Sequence, residues 1–158
     1  MTTLLEWKEK RPNYSLIETL SFSHQAFPSA YRVIKDAFSD TLIAGQVYNP
    51  SSFTVSEPEQ DGTASITMSV TFLMGAEEIR SIMKRYWVGP ARMSPISCTY
   101  NMWASASDSS PILTRALYVK DISSDATNVL ITLSLTNPLT LGTDKIYRVS
   151  EYPGLRTS

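Results

Sequence analysis

The sequence predicts a mainly β fold, either a β-sandwich or an open barrel of about seven strands, with one short helix. Ile66, Met68, Val70 and Phe72 alternate with serine and threonine without interruption, and residues 127–135 show the same two-residue period. An extended strand places alternate side chains on opposite faces, so each of these segments has one apolar face that requires burial. The 22 serines and 16 threonines of the chain suit the solvent faces of such strands.

The other strands follow from shorter apolar runs bounded by turn residues. In chain order, strands are predicted at residues 17–23, 31–37, 41–48, 52–55, 64–72, 96–103, 112–121 and 128–135, with a final short one at 145–148. The pair Asn49 and Pro50 is a turn signal that ends the third of these strands. Residues 57–62 read as the tip of a hairpin that joins the strand at 52–55 to the strand at 64–72.

One helix is predicted at about residues 76–86. Acidic residues occupy its first turn and basic residues its last, an arrangement that complements the helix dipole. One apolar stripe follows the helical period, formed by Ile79, Ile82, Met83 and Tyr86. The helix therefore packs this stripe on the sheet and turns Arg80 and Lys84 outward.

The chain divides into a β-rich domain at residues 15–148 and two extended arms at 1–14 and 149–158. The first arm mixes charged and aromatic residues without a period, and it contains Pro12. We therefore expect no regular element there. Its aromatic side chains, Trp7 and Tyr14, are expected to pack on an adjacent protein chain, and the alternative is that Trp7 folds back on the sheet of its own chain.

Composition excludes several classes of function. The 158 residues carry a formal net charge of −1, which gives no general attraction to nucleic acid. The longest apolar runs fall far short of the ~20 residues that a membrane helix needs, and the N-terminus does not resemble a signal peptide. Cys98 is the only cysteine, so no disulfide forms within the chain, and synthesis in a reducing cytosol is expected.

The residues that could carry catalysis are scarce. His24 is the only histidine, no Gly-x-Ser-x-Gly motif occurs, and Cys98 lies within an apolar strand pattern that favours burial over pairing with His24. Two potential zinc ligands are too few for a structural zinc site, and the acidic residues at 57–61 lack the spacing of a calcium loop. We therefore predict no enzymatic activity, no cofactor and no metal.

One charge asymmetry has two interpretations that the sequence leaves open. Basic residues cluster near the N-terminus and on the predicted helix, whereas the hairpin tip is acidic. These groups are either ordinary solvated surfaces or complementary surfaces that meet head to tail in a ring. The candidate interface residues are Trp7, Lys8, Lys10, Arg11, Tyr14, Glu57, Glu59, Asp61, Arg80, Lys84, Arg85 and Tyr152.

A family resemblance extends over most of the chain. It is carried by the run from Ser21 to Pro28 that leads into residues 31–36, by the order of hairpin, short helix and Pro-containing strands, and by the ending Tyr152-Pro153-Gly154-Leu155. The chain resembles a family of short, mostly uncharacterised proteins encoded among the tail genes of long-tailed bacteriophages. This family has no site motif, so no functional residue is carried over to this chain.

The resemblance implies a structural protein of the tail tip or baseplate. Such a protein forms an oligomeric ring around the tail axis, contacts other tail-tip and tail-tube proteins, and is made in the host cytoplasm before entering the virion. One alternative is a tail assembly chaperone that is absent from the mature virion. Another is a small module that binds or hydrolyses the cell wall, for which Tyr86 with Trp87 and Tyr100 with Trp103 are the candidate sugar-binding aromatics.

Overall fold

The computed structural model describes residues 4–10, 15–57, 67–73, 77–89 and 93–139. The described residues form two helices and nine strands. The helices are α1 (Leu4–Lys10) and α2 (Glu77–Val88). The strands are β1 (Ile17–Ser23), β2 (Tyr31–Lys35), β3 (Thr41–Ile43), β4 (Gln46–Ser51), β5 (Phe53–Ser56), β6 (Thr67–Phe72), β7 (Ser97–Trp103), β8 (Leu113–Ser124) and β9 (Val129–Ser134).

All nine strands belong to one sheet, in the order β3-β4-β2-β1-β7-β8-β9-β6-β5. Every neighbouring pair is antiparallel except β2 and β4, which run parallel. The predicted mainly β fold with a short helix is therefore confirmed. The sheet has nine described strands, against a predicted sandwich or barrel of about seven; eight of the strand segments named from the sequence lie in the described sheet, and the segment at 41–48 forms two strands.

The sheet curls until its two ends approach each other. Strands β4 and β5 are separated only by Ser52, yet β4 pairs with β2 and β5 pairs with β6. The amide of Asp36 donates to the carbonyl of Ser51, and the amide of Leu73 donates to the carbonyl of Ser52. The segment from β4 to β5 thus pairs with strands near both ends of the strand order. The barrel stays open because β4 and β5 do not pair with each other.

Ring contacts confirm this curvature. Phe22 on β1 and Phe72 on β6 are four strand positions apart in the sheet, which corresponds to about 19 Å in a flat sheet. Their ring centroids are 6.2 Å apart. The sheet therefore wraps around a common interior.

That interior holds the main hydrophobic core. Its strand residues are those of the inward faces, including Leu20, Phe22, Val33, Phe53, Met68, Val70, Phe72, Cys98, Tyr100, Leu117, Ile131 and Leu133. Helix α2 contributes Ile79 and Met83, which are also buried. The predicted burial of the alternating apolar residues of β6 and β9 is confirmed for Met68, Val70, Phe72, Val129, Ile131 and Leu133.

A smaller core lies on the other face of the sheet. It contains Ile34, Ile43, Tyr48 and Trp103. The indole Nε1 of Trp103 donates to Oγ1 of the fully buried Thr19 at 3.0 Å, so the polar atom of the ring is satisfied inside this core.

The direction of β6 defines two ends of the barrel. The connection from β5 enters β6 at Thr67, and helix α2 follows the other terminus of β6. We call the end that carries α2 the helical end. The opposite end, where β1 begins and β5 finishes, holds Glu18, Lys35, Arg115 and Glu57, and we call it the charged end.

Three local predictions were wrong, two of them as follows. Residues 4–10 form helix α1 where an arm without regular structure was expected. The predicted strand at 41–48 is instead a hairpin of β3 and β4, because Ala44 and Gly45 take positive φ angles of 48° and 75° and reverse the chain. This two-residue pattern of positive φ is that of a type I′ turn, which matches the twist of paired strands.

The turn predicted at Asn49 and Pro50 is also wrong, since both residues lie within β4. Pro50 is paired with Ile34 of β2. The helix predicted at 76–86 is observed as Glu77–Val88. The predicted strand at 145–148 and the C-terminal arm at 149–158 lie outside the described residues.

Candidate protein interface

A groove of about 450 Å³ opens at the helical end, between α2 and the strands β2 and β4. We call it the α2 groove. Its apolar lining includes Phe27, Tyr31, Val47 and Ile82, and its charged lining consists of Arg32, Glu78 and Arg85. An apolar floor with a few charged groups at its rim has the composition of a recognition surface.

The groove follows from the alternation of strands and the period of the helix. On β4, Tyr48 turns into the smaller core, so its neighbours Val47 and Asn49 face the other way and line the groove. On α2, Ile79 and Met83 are buried in the main core, whereas Ser81, Ile82 and Arg85 line the groove. Each of the two elements therefore buries one face in a hydrophobic core and lines the groove with another face.

Within the groove, Glu78 is engaged by Tyr31. Burial of the Tyr31 phenol, the negative charge of Glu78 and a hydrogen bond between the two side chains together raise the pKa of Tyr31 well above its ordinary value. The phenol therefore remains protonated and donates to the carboxylate of Glu78. Arg32 and Arg85 are left as the two cations of the lining.

An apolar surface adjoins the groove on the β3–β4 hairpin. Leu42 and Val47 are cross-strand partners that are 63% and 54% exposed. Phe38 is fully exposed, but it lies in the β2–β3 connection, which follows Lys35 at the charged end. The hairpin residues from Thr41 to Asn49 include no charged side chain. Because β3 ends the strand order of the described sheet, this is an uncharged edge, and protein edges without charges or covering elements are prone to pair with other chains.

The three predicted basic residues of α2 have different environments. Arg80 binds Oε1 of Glu77 at 2.9 Å and donates to the carbonyl of Asp125 in the β8–β9 turn at 2.8 Å. Arg80 was expected to face outward, but its side chain is only partly exposed because its guanidinium ties the helix to the β8–β9 turn. Lys84 and Arg85 are exposed, as the sequence predicted, and Arg85 lines the groove.

The predicted acidic tip is described only at its first residue. Glu57 lies at the charged end, where its carboxylate forms an ion pair with Arg115 at 3.3 Å. Glu59 and Asp61 lie outside the described residues. The structure thus places Glu57 at the opposite end of β6 from Lys84 and Arg85.

The remaining predicted interface residues belong to the chain termini. Trp7, Lys8 and Lys10 lie on α1, and Lys8 is exposed. Arg11, Tyr14 and Tyr152 lie outside the described part of the chain. Leu5, which the sequence interpretation did not single out, is 69% exposed on the same helix.

A network of charged groups occupies the charged end. Nζ of Lys35 binds Oε1 of Glu18 at 2.8 Å, and the phenol of the buried Tyr100 donates to Oε2 of the same carboxylate at 3.0 Å. Burial, followed by the charge and hydrogen bond of Glu18, raises the pKa of Tyr100 far above its ordinary value. These contacts satisfy the polar groups that the open end of the barrel partly buries.

His24 and Cys98 do not form a pair. Nε2 of His24 donates to the carbonyl of Ser94 at 3.1 Å, while Nδ1 accepts from the amide of Ala26 at 3.0 Å. Cys98 is buried in the main core, as predicted, and this burial raises the pKa of its thiol. A thiol held in its protonated form is a weak nucleophile.

The aromatic residues considered for sugar binding are mostly inside the protein. Tyr100 and Trp103 are both buried, so their rings cannot form an exposed platform. Tyr86 is half-buried, and its ring meets His24 edge to face with centroids 4.9 Å apart. The side chain of Trp87 lies outside the described atoms.

The described residues contain neither a cluster of metal ligands nor a membrane-spanning helix. Among them, no group of three or more histidine, cysteine, aspartate or glutamate side chains is arranged to hold a metal ion. Neither described helix is long and apolar enough to cross a membrane.

Comparison of the sequence with protein-family models finds no match, and a search of curated proteins also finds no significant match.

Proposed function

We propose that this protein is a structural component of a bacteriophage tail tip or baseplate, where it forms an oligomeric ring around the tail axis through protein–protein contacts. The observation that carries the proposal is the apolar surface at the helical end, formed by the α2 groove and the uncharged edge hairpin. Leu42 and Val47 are costly to leave in water, and a neighbouring subunit that covers them gains about 25 cal/mol per Å² of apolar area. The link to phage tails comes from the resemblance carried by residues 21–36 and 152–155.

A ring requires two different surfaces on each subunit. A head-to-tail contact joins one patch to a second, distinct patch, and the contacts close into a ring when the rotation permits. The helical end carries the apolar α2 groove and the charged end carries ion pairs, so the two ends of the barrel offer two different patches.

Mass spectrometry of purified virions tests the tail assignment. A structural component is expected in particles at a constant copy number relative to the tail-tube protein. An assembly chaperone would be present in infected-cell lysate and absent from particles, and that result would overturn the proposal. Particles washed at high salt provide the control against loosely adhering protein.

The basic residues of α2 provide a second expected result. Replacing Lys84 and Arg85 with Glu should leave the fold intact, because both side chains are exposed, while incorporation into particles falls. Arg80 is left unchanged because its contacts with Glu77 and Asp125 stabilise the helix position. Thermal unfolding checks the fold, and quantification of the protein in particles checks assembly.

Lys120→Glu on the exposed surface of β8 is the matched control for this change of charge. Normal incorporation of the Lys84→Glu/Arg85→Glu variant would show that this part of α2 makes no contact in the assembly.

A further inference from the structure

Helix α1 has an apolar side chain that neither core covers. Leu5 is 69% exposed, and the described side chains of α1 belong to neither hydrophobic cluster. A helix of seven residues is well below the ~12–15 residues at which isolated helices become marginally stable in water. Leu4 is half-buried whereas Leu5 is left in water, so a surface that covers Leu5 would stabilise this element.

The exposed face of α1 matches the α2 groove in chemistry. Leu5 and Glu9 are four residues apart, so they lie on the same face of the helix, and both are exposed. The groove offers Val47 and Ile82 for an apolar side chain and the guanidinium of Arg85 for a carboxylate.

The exposed face of α1 and the α2 groove are two different surfaces of the chain. A contact between α1 of one copy and the groove of another therefore joins unlike surfaces. Such a contact is heterologous and propagates from copy to copy until a ring closes.

We propose that α1 of one subunit binds in the α2 groove of the next subunit, with Leu5 packed on Val47 and Ile82 and with Glu9 facing Arg85. The inference rests on the proposed function for its premise that the protein is an oligomer. In this arrangement, α1 and the α2 groove are the two surfaces that join neighbouring subunits of the ring.

Two full-length variants test this contact in solution. Leu5→Glu removes the inserted side chain and leaves the groove, while Val47→Glu places a charge in the groove and leaves α1. Both positions are exposed, so both variants should fold as the wild type does. In analytical ultracentrifugation, we expect the wild type to form species larger than a dimer and each variant alone to be monomeric.

An equimolar mixture of the two variants gives the decisive result. The intact α1 of the Val47→Glu chain can bind the intact groove of the Leu5→Glu chain, so the mixture should form a heterodimer and nothing larger. Leu130→Glu, a change of the same kind on the exposed side of β9, is the control and should assemble like the wild type.

Three outcomes would overturn the inference. They are a wild type that remains monomeric at all concentrations, variants that assemble normally, and a mixture without heterodimer, which would mean that α1 packs within its own chain or elsewhere. Heterodimer formation by a protein that is absent from virions would instead refute the tail function and leave this contact intact.

Discussion

Replacing Val70 with Asp is expected to unfold the protein or to lower its free energy of unfolding by several kcal/mol. Val70 is fully buried, and its cross-strand neighbours are Val55 of β5 and Ile131 of β9. A carboxylate at this position has no hydrogen-bond or charge partner, and burial of an unpaired charge is among the few changes that exceed about 4 kcal/mol. Since domains of this size have a total stability of about 5–15 kcal/mol, such a loss is a large fraction of the free energy of unfolding.

Urea unfolding followed by circular dichroism measures this effect. Thr54→Asp is the matched control, because Thr54 is exposed on the adjacent strand β5 and should tolerate the same side chain at a cost below about 1 kcal/mol. Equal stability of the Val70→Asp variant and the wild type would contradict the placement of β6 against the core.

The second large effect is expected for Phe22→Ala, which should cost about 3–5 kcal/mol. Phe22 is fully buried, and its ring meets Phe72 across the interior of the barrel. The Phe22→Ala change removes the ring that contacts Phe72, and these two residues lie on strands four positions apart in the sheet. The resulting cavity therefore lies in the interior of the barrel, between β1 and β6.

A double-mutant cycle of Phe22→Leu and Phe72→Leu isolates this contact. We expect a coupling energy of about 0.5–1.5 kcal/mol, as for other aromatic pairs. Ile43 belongs to the smaller core and shares no cluster with Phe22, so the pair Phe22→Leu and Ile43→Val should be additive. Additivity of Phe22 with Phe72 would indicate a flatter sheet than the one described.

The sequence predicted the strands whose apolar residues alternate over a long run. β1 was placed at its observed residues, and β6 and β9 were placed from the pattern around Val70 and Ile131, because burial of one face imposes a strict two-residue period. The period does not specify how the strands connect. The parallel pairing of β2 with β4 and the return of β5 to β6 depend on contacts distant in sequence.

The wrong predictions have local causes. The β3–β4 turn was missed because Ala44 takes a positive φ that non-glycine residues seldom adopt, so the sequence there reads as one continuous apolar strand. Helix α1 was missed because charged and aromatic residues dominated the interpretation of the N-terminus. The pattern Thr3-Leu4-Leu5-Glu6 matches a capping box, and it was the signal available for a helix start.

The candidate interface was only partly predictable. Lys84 and Arg85 could be identified from the charge pattern of one helix, since a single element determines their exposure. The groove itself is lined by residues from the β1–β2 connection, β2, β4 and α2, and no sequence period relates these segments. The engagement of Arg80 by Asp125, 45 residues away, depends equally on the tertiary fold.

Disulfide crosslinking in purified particles tests the central claim most directly. A variant with Leu5→Cys and Val47→Cys carries one exposed thiol on α1 and one in the α2 groove, while the native Cys98 is buried and does not compete. After mild oxidation, we expect a ladder of covalent multimers in the particles and only monomers from either single-cysteine variant. Particles that contain the double variant but yield only its monomer, or particles that lack the protein altogether, would contradict the account.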